Sequence, residues 1–206
     1  MNEGYMDILR SIASSEPTPG GGSVAALSLA HAHSLSLMVA RLTLANDKWA
    51  DGHDAAKTSI ELSETGLEES ILLAISDSEA FESVMSAYRL PKATEIEKNQ
   101  RSEEIRNATI GAALAPLNTA SSAQKLLSNL EKQCASCNPN ALTDLASASE
   151  MALSATKIAS LNVRINLEYI QGEDVALLNS KIEKTVKAAT KSANIVAQTV
   201  NQRLEW

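Results

Sequence analysis

Aromatic residues are scarce in this chain: two Trp, three Tyr and one Phe among 206 residues. Few segments are rich in Val, Ile, Thr or aromatics, which excludes a β-rich core. Cysteine is nearly absent, since Cys134 and Cys137 form a lone C-x-x-C. A zinc site needs about four ligands and no second pair exists. A redox pair belongs beside a βαβ pattern, which is also missing, so two reduced thiols at a helix end are expected. With no disulfide framework and no secretory leader, a cytoplasmic location is expected. Basic residues are outnumbered, 18 Lys and Arg against 25 Asp and Glu, for a net charge of -7. That excludes nucleic acid as the main partner, because phosphate binding needs a clustered basic surface. It leaves room for an anionic small molecule held by a local pocket of Arg and Lys. An uninterrupted hydrophobic run is lacking too. Residues 23–45 have the length of a membrane span, but His31, His33, Arg41 and four serines interrupt them. A buried helix, with no membrane partner, is the reading that fits.

Ala, Leu and Ser dominate the apolar and small positions, and these favour close packing of helix on helix. The chain reads as all-α, a single antiparallel helical bundle of about seven helices forming one domain over 1–206. Tyr5, Ile8, Leu9 and Ile12 give a first helix over 3–14. A second runs over 23–46, apolar almost all round and therefore central. A third begins at Asp51 or His53 and continues to Tyr88, stopped by Leu90-Pro91. Thr94 and Glu97 compose a capping box for a fourth, to Ala115. Pro116 predicts a break or kink before a fifth stretch reaching Gln133. Asn140 is the expected cap of a sixth over 141–170. Gly172 ends it, and the last spans 174–203.

Several polar residues stand where apolar ones belong. Asp77 shares a stripe with Ala74, Phe81, Val84 and Tyr88. It is either a structural carboxylate bonded to a helix end or an Arg, or a site carboxylate with a shifted pKa. Asp144 and Asn162 fall on a second stripe with Ala148, Met151, Ala155, Ile158, Ile165 and Tyr169. They are eighteen positions apart, about 27 Å on a straight helix, so they cannot serve one reacting atom within one chain. Asn162 and Asn166 share a face, while Arg164 points away and reads as a surface or interface residue. His31 and His33 are two apart, which is wrong for chelation, and read as satisfied core histidines. The turn Pro17-Thr18-Pro19-Gly20-Gly21-Gly22-Ser23 enters the second helix. Its free N–H groups suit an anion. Alternatively its glycines allow close packing, with Ser23 as cap. No G-K-[ST] follows, so it is not a P-loop.

The stretch Pro17 to Ala26 resembles the opening signature of the formiminotransferase-cyclodeaminase C-terminal family, which includes methenyltetrahydrofolate cyclohydrolases. Three more stretches are similar to that family in order: Asp77 through Ala87-Tyr88-Arg89-Leu90-Pro91-Lys92, Asn138-Pro139-Asn140 leading to Asp144, and Leu161 to Leu167. One departure is Cys137, where the family usually has Gly; a left-handed backbone there would force the turn to rearrange.

The resemblance implies an all-α homodimer acting on a tetrahydrofolate derivative, with no metal and no cofactor beyond the folate substrate. Cyclohydrolase activity on the 5,10-methenyl compound ranks ahead of cyclodeaminase activity on the 5-formimino compound, since no formiminotransferase portion is fused. A helical dimer that binds folate or a partner without catalysis is the third reading. The methenyl substrate is a cation, so a buried carboxylate, Asp77 or Asp144, suits it and can take a proton from water. Lys92 or Tyr88 is the candidate for protonating the leaving nitrogen. Arg89, Lys92 and Arg101 suit the anionic tail. Pro19, Gly20, Gly21, Gly22 and Ser23, with Asn140 and Asn162, complete the expected substrate-binding set.

Overall fold

The computed structural model describes residues 3–206. Among these, six α-helices follow one another: α1 Glu3–Ile12, α2 Gly21–Leu44, α3 His53–Tyr88, α4 Glu95–Ser136, α5 Leu142–Leu167 and α6 Glu173–Leu204. Short 3-10 turns at Asp47–Gly52 and Pro139–Ala141 join α2 to α3 and α4 to α5. There is no strand among the described residues.

Pro116 does not split the chain into a seventh helix. α4 continues through it without a break, and the hydrogen bond lost there is replaced from outside. The missing N–H of Pro116 leaves the Ala112 carbonyl one turn back without its helical donor. Asn166 Nδ2 of α5 donates to that carbonyl at 2.7 Å. Thr94 and Glu97 form the expected capping box at the start of α4. At its other end, Arg203 of α6 donates to the Cys134 and Cys137 carbonyls, each at 2.8 Å. Both cysteines are free and buried at that helix end. Burial pushes the Cys134 thiol up to about 11 and raises Cys137 as well, so both stay protonated and inert.

Among the described residues, α2 is the one helix long and apolar enough to cross a membrane. It is instead flanked by α3 and α5, with α4 behind. α2 and α3 run antiparallel, Ser23 meeting Asp77 and His33 meeting Gly66. Small side chains permit this closeness: Ala25, Ala26, Ala32 and Ala40 of α2 and Ala152, Ala155 and Ala159 of α5 are fully buried. Gln133 of α4 secures the far end of α2, accepting from the Ser36 hydroxyl and donating to the Ser36 carbonyl, both at 2.9 Å.

Four local expectations are corrected. Asn138, not Asn140, caps the turn before α5, its Oδ1 accepting from the Asn140 N–H at 3.0 Å. Cys137 is extended, with φ -65° and ψ 168°, so the turn needs no left-handed residue and suffers no strain. α5 ends at Leu167, five residues before Gly172, whose φ of 144° suits the entry to α6. The histidines are not satisfied core residues: His31 is exposed, and His33 is buried with neither ring nitrogen partnered.

Candidate functional site

The turn that opens α2 contains a cis Thr18–Pro19 bond. Gly20 is the N-cap and offers no side chain to the first helical N–H groups. Ser23 therefore lies inside the first turn of the helix and does not act as its cap. The missing cap comes from α3, where Asp77 accepts hydrogen bonds from the Ser23 backbone N–H and from Ser23 Oγ, the latter at 3.1 Å. The anion held at this helix start is thus the protein's own carboxylate.

Glycine is required here for a steric reason. A Cβ at Gly22 would overlap the Asp77 carboxylate, and one at Gly21 would lie 3.4 Å from Asn162 Nδ2 of α5. Three elements that are distant in sequence converge at this point. Asp77 is half-buried, and burial raises its pKa above the ordinary carboxylate value, against the lowering by its two Ser23 hydrogen bonds. A desolvated carboxylate without an ion pair among the described residues holds its proton more tightly than a solvated one. Asp77 is thus bonded to a helix end, and burial also shifts its pKa.

The remaining expected site residues fall elsewhere. Tyr88 is eleven positions along α3 from Asp77, about 16 Å away on a straight helix. Tyr88 is 52% exposed, and the Arg101 guanidinium lies over its ring 5.4 Å from the centroid. Arg101 also donates to the Tyr88 carbonyl from Nε at 3.2 Å and from its terminal nitrogen at 3.0 Å, so it closes the end of α3. Arg89 and Lys92 are exposed beside it. These four residues make a basic corner at the α3–α4 turn, separate from the Asp77 cluster. Asn140 is exposed, and Asp144 is half-buried in the first turn of α5. Asn162 lies near the other end of that helix, against Gly21 and about 27 Å from Asp144. Within one chain the structure joins Asp77, Asn162 and the glycine turn and leaves Asp144 apart. The stripe that includes Asp144 and Asn162 is buried at Ala148 and Ala155 but surfaces at Ile165 and Tyr169. Arg164 is exposed, as its position on the helix predicts.

Sequence reasoning missed an apolar groove whose wall includes Val24, the residue after Ser23. It has a volume of about 510 Å³, a size typical of small-molecule sites. Tyr5 and Leu9 of α1, Val24 and His31 of α2, Ile71 of α3 and Met151 of α5 line it. Its signal was the amphipathic pattern of α1, which buries no residue fully and forms one wall of the groove.

The chain matches the family described as Formiminotransferase-cyclodeaminase over residues 5–188. It is 34% identical over 203 residues to methenyltetrahydrofolate cyclohydrolase of Methylorubrum extorquens, covering 91% of this chain and 97% of that protein. It is 26% identical over 196 residues to formimidoyltransferase-cyclodeaminase of Gallus gallus, covering 95% of this chain but 36% of that longer protein. The crystal structure of formiminotetrahydrofolate cyclodeaminase from Thermotoga maritima superposes with a TM-score of 0.86 at 26% identity, covering 100% of this chain and 98% of that one. The match spans all four signature stretches, including the glycine turn, Asp77 and Asn162 that the fold brings together. This chain belongs to the formiminotransferase-cyclodeaminase family.

Proposed function

We propose that the protein is a methenyltetrahydrofolate cyclohydrolase, with Asp77 as its general base. The observation that carries this reading is the half-buried, ion-free Asp77 carboxylate held at the start of α2 by Ser23. A cationic carbon flanked by two nitrogens is stabilised beside such a carboxylate. Water bonds to that carbon and passes a proton to Asp77, and the C=N electron pair settles on nitrogen. The resulting carbinolamine collapses as Asp77 returns the proton to N5 and the C–N5 bond breaks. The hydroxyl becomes the formyl carbonyl and releases its proton to solvent, giving 10-formyltetrahydrofolate. The carbon is already electrophilic and no oxidation state changes, so neither a metal nor a nicotinamide is required. The apolar groove beside Val24 suits the flat part of the ligand. The basic corner of Arg89, Lys92 and Arg101 suits its anionic tail.

The relative from Methylorubrum extorquens, aligned nearly end to end, supports this choice of activity. The alternative is cyclodeaminase activity, in which N10 attacks a formimino carbon and ammonia leaves. It is supported by the Thermotoga maritima protein, which also aligns end to end, so length does not separate the two. We place the protein in solution as a homodimer.

Loss of the methenyl absorbance on adding the protein, with no ammonia released from the formimino substrate, is the expected result. The reverse pattern would select the cyclodeaminase. Asp77→Asn is expected to lower turnover by about 10²-fold or more. Full turnover in Asp77→Asn together with loss in Asp144→Asn would move the base to Asp144.

A further inference from the structure

We propose that Ser23 is a positioning residue for Asp77, its one hydroxyl proton turning between the Asp77 carboxylate and the Ala74 carbonyl as Asp77 loses and gains a proton. The inference rests on Asp77 being the base of the reaction above. Ser23 Oγ lies 3.1 Å from Asp77 Oδ2, 3.1 Å from the Ala74 carbonyl oxygen and 3.2 Å from Ser78 Oγ. A hydroxyl has one proton to give and lone pairs to receive with. It cannot donate to Asp77 and to Ala74 together.

The two arrangements match the two states of the carboxyl group. When Asp77 is ionised it only accepts, and Ser23 supplies its hydroxyl proton as well as its backbone N–H. When Asp77 has taken a proton from water, it needs an acceptor. The Ser23 oxygen then accepts a hydrogen bond from the carboxylic O–H, which keeps its proton, and the Ser23 hydroxyl turns to Ala74. Ala74 tolerates either position, because within α3 its carbonyl keeps a helical N–H donor. Neither state leaves Asp77 or Ser23 Oγ without a partner.

Direct contact between Ser23 and substrate is unfavourable, since Ser23 is 1% exposed. The groups around this pair are uncharged: Gly22 and Ser23 of α2 meet the carboxylate, Ala74 and Ser78 of α3 meet Ser23 Oγ, and Asn162 of α5 lies against the neighbouring Gly21. Burial and Ser23 therefore set the acidity of Asp77 between them.

The test compares the wild type with Ser23→Ala and with Ser23→Cys, which keeps a weak donor in similar volume. Turnover on methenyltetrahydrofolate is followed against pH, and the Asp77 carboxyl is titrated by 13C NMR without substrate. Ser23→Ala is expected to lower kcat about tenfold with KM unchanged, and to move the acid limb and the Asp77 titration up by about one pH unit. Ser23→Cys is expected to fall between the two. A lower kcat with an unmoved titration in both variants overturns the inference, as does a rise in KM alone. If Ser23→Ala does not fold, the Ser23→Cys titration decides. An inactive wild type overturns the functional reading and with it the catalytic role of Ser23. Turnover with no titration shift overturns the Ser23 inference alone.

Discussion

Gly22 of α2 and Asp77 of α3 compete for one space: the carboxylate lies where a Cβ at position 22 would be. The absence of a side chain on one helix is thus what admits the candidate base from another. Intrinsic helix propensity opposes this choice, since Ala is favoured over Gly by about 1 kcal/mol in a helix interior.

Gly22→Ala is therefore expected to expel the Asp77 carboxylate from Ser23 while the helices survive, because a side chain can rotate away where backbone cannot. Turnover should fall by about 10²-fold or more, with the circular dichroism spectrum retained. Gly21→Ala meets Asn162 at an ordinary 3.4 Å and should be milder. Equal effects from the two variants would remove the steric link between Gly22 and Asp77.

Features set by neighbours in sequence were legible before the fold was known. Thr94 and Glu97 are three residues apart and cap their own helix, so the capping box is written in the local string. Pro116 shows the opposite case. Its break was expected from local rules, and what removes it is Asn166 bonding to Ala112 from 54 positions away. The Asp77 stripe identified a carboxylate out of place but not its partner, because Ser23 is also 54 positions distant. The histidines were misread for a related reason. Periodicity places His31 and His33 on one apolar helix, but does not say that α1 leaves His31 exposed or that α3 presents Gly66 to the His33 ring.

Protonation of His33 is expected to loosen the seam between α2 and α3. The ring is 1% exposed, neither nitrogen has a partner, and a Cβ at Gly66 would overlap it. Burial lowers its pKa from 6.5 to about 4. The folded state keeps the ring neutral, whereas the unfolded chain takes a proton below pH 6.5. Stability is therefore intact above that pH and declines as pH falls through 6.5 toward 4, by about 3 kcal/mol in all. His33→Leu should flatten this part of the urea-melt pH profile and cost little at neutral pH, since it removes two unpaired polar atoms. A variant with the wild-type acid slope would assign that slope to other groups.

The outer faces of three helices carry large apolar side chains that the fold does not cover. Ile8 and Leu9 on α1, Met38 and Leu42 on α2, and Ile71 and Ile75 on α3 are all exposed. Apolar surface gathered in this way belongs to an interface more often than to open solvent. Sedimentation velocity is expected to give a dimer, and Ile71→Asp or Ile75→Asp to shift it toward monomer. A wild type that stays monomeric at working concentration would rule the dimer out.

The Asn166–Ala112 bond gives a prediction that separates structure from catalysis in the last signature stretch. If Asn166 is there to replace the donor that Pro116 lacks, its value depends on that proline. Asn166→Leu should cost about 1–3 kcal/mol in the wild type, because it leaves a carbonyl in the α4–α5 seam without a donor. In a Pro116→Ala background the helix supplies its own N–H to Ala112, and the same change should cost clearly less. The two sites are thus expected to couple by about 1–2 kcal/mol in a double-mutant cycle read by urea unfolding. Equal costs in both backgrounds would show that Asn166 stabilises the bundle by packing alone. Asn162, one turn earlier and against Gly21, has its own bond to the Ile158 carbonyl at 3.0 Å and should show no such coupling to Pro116.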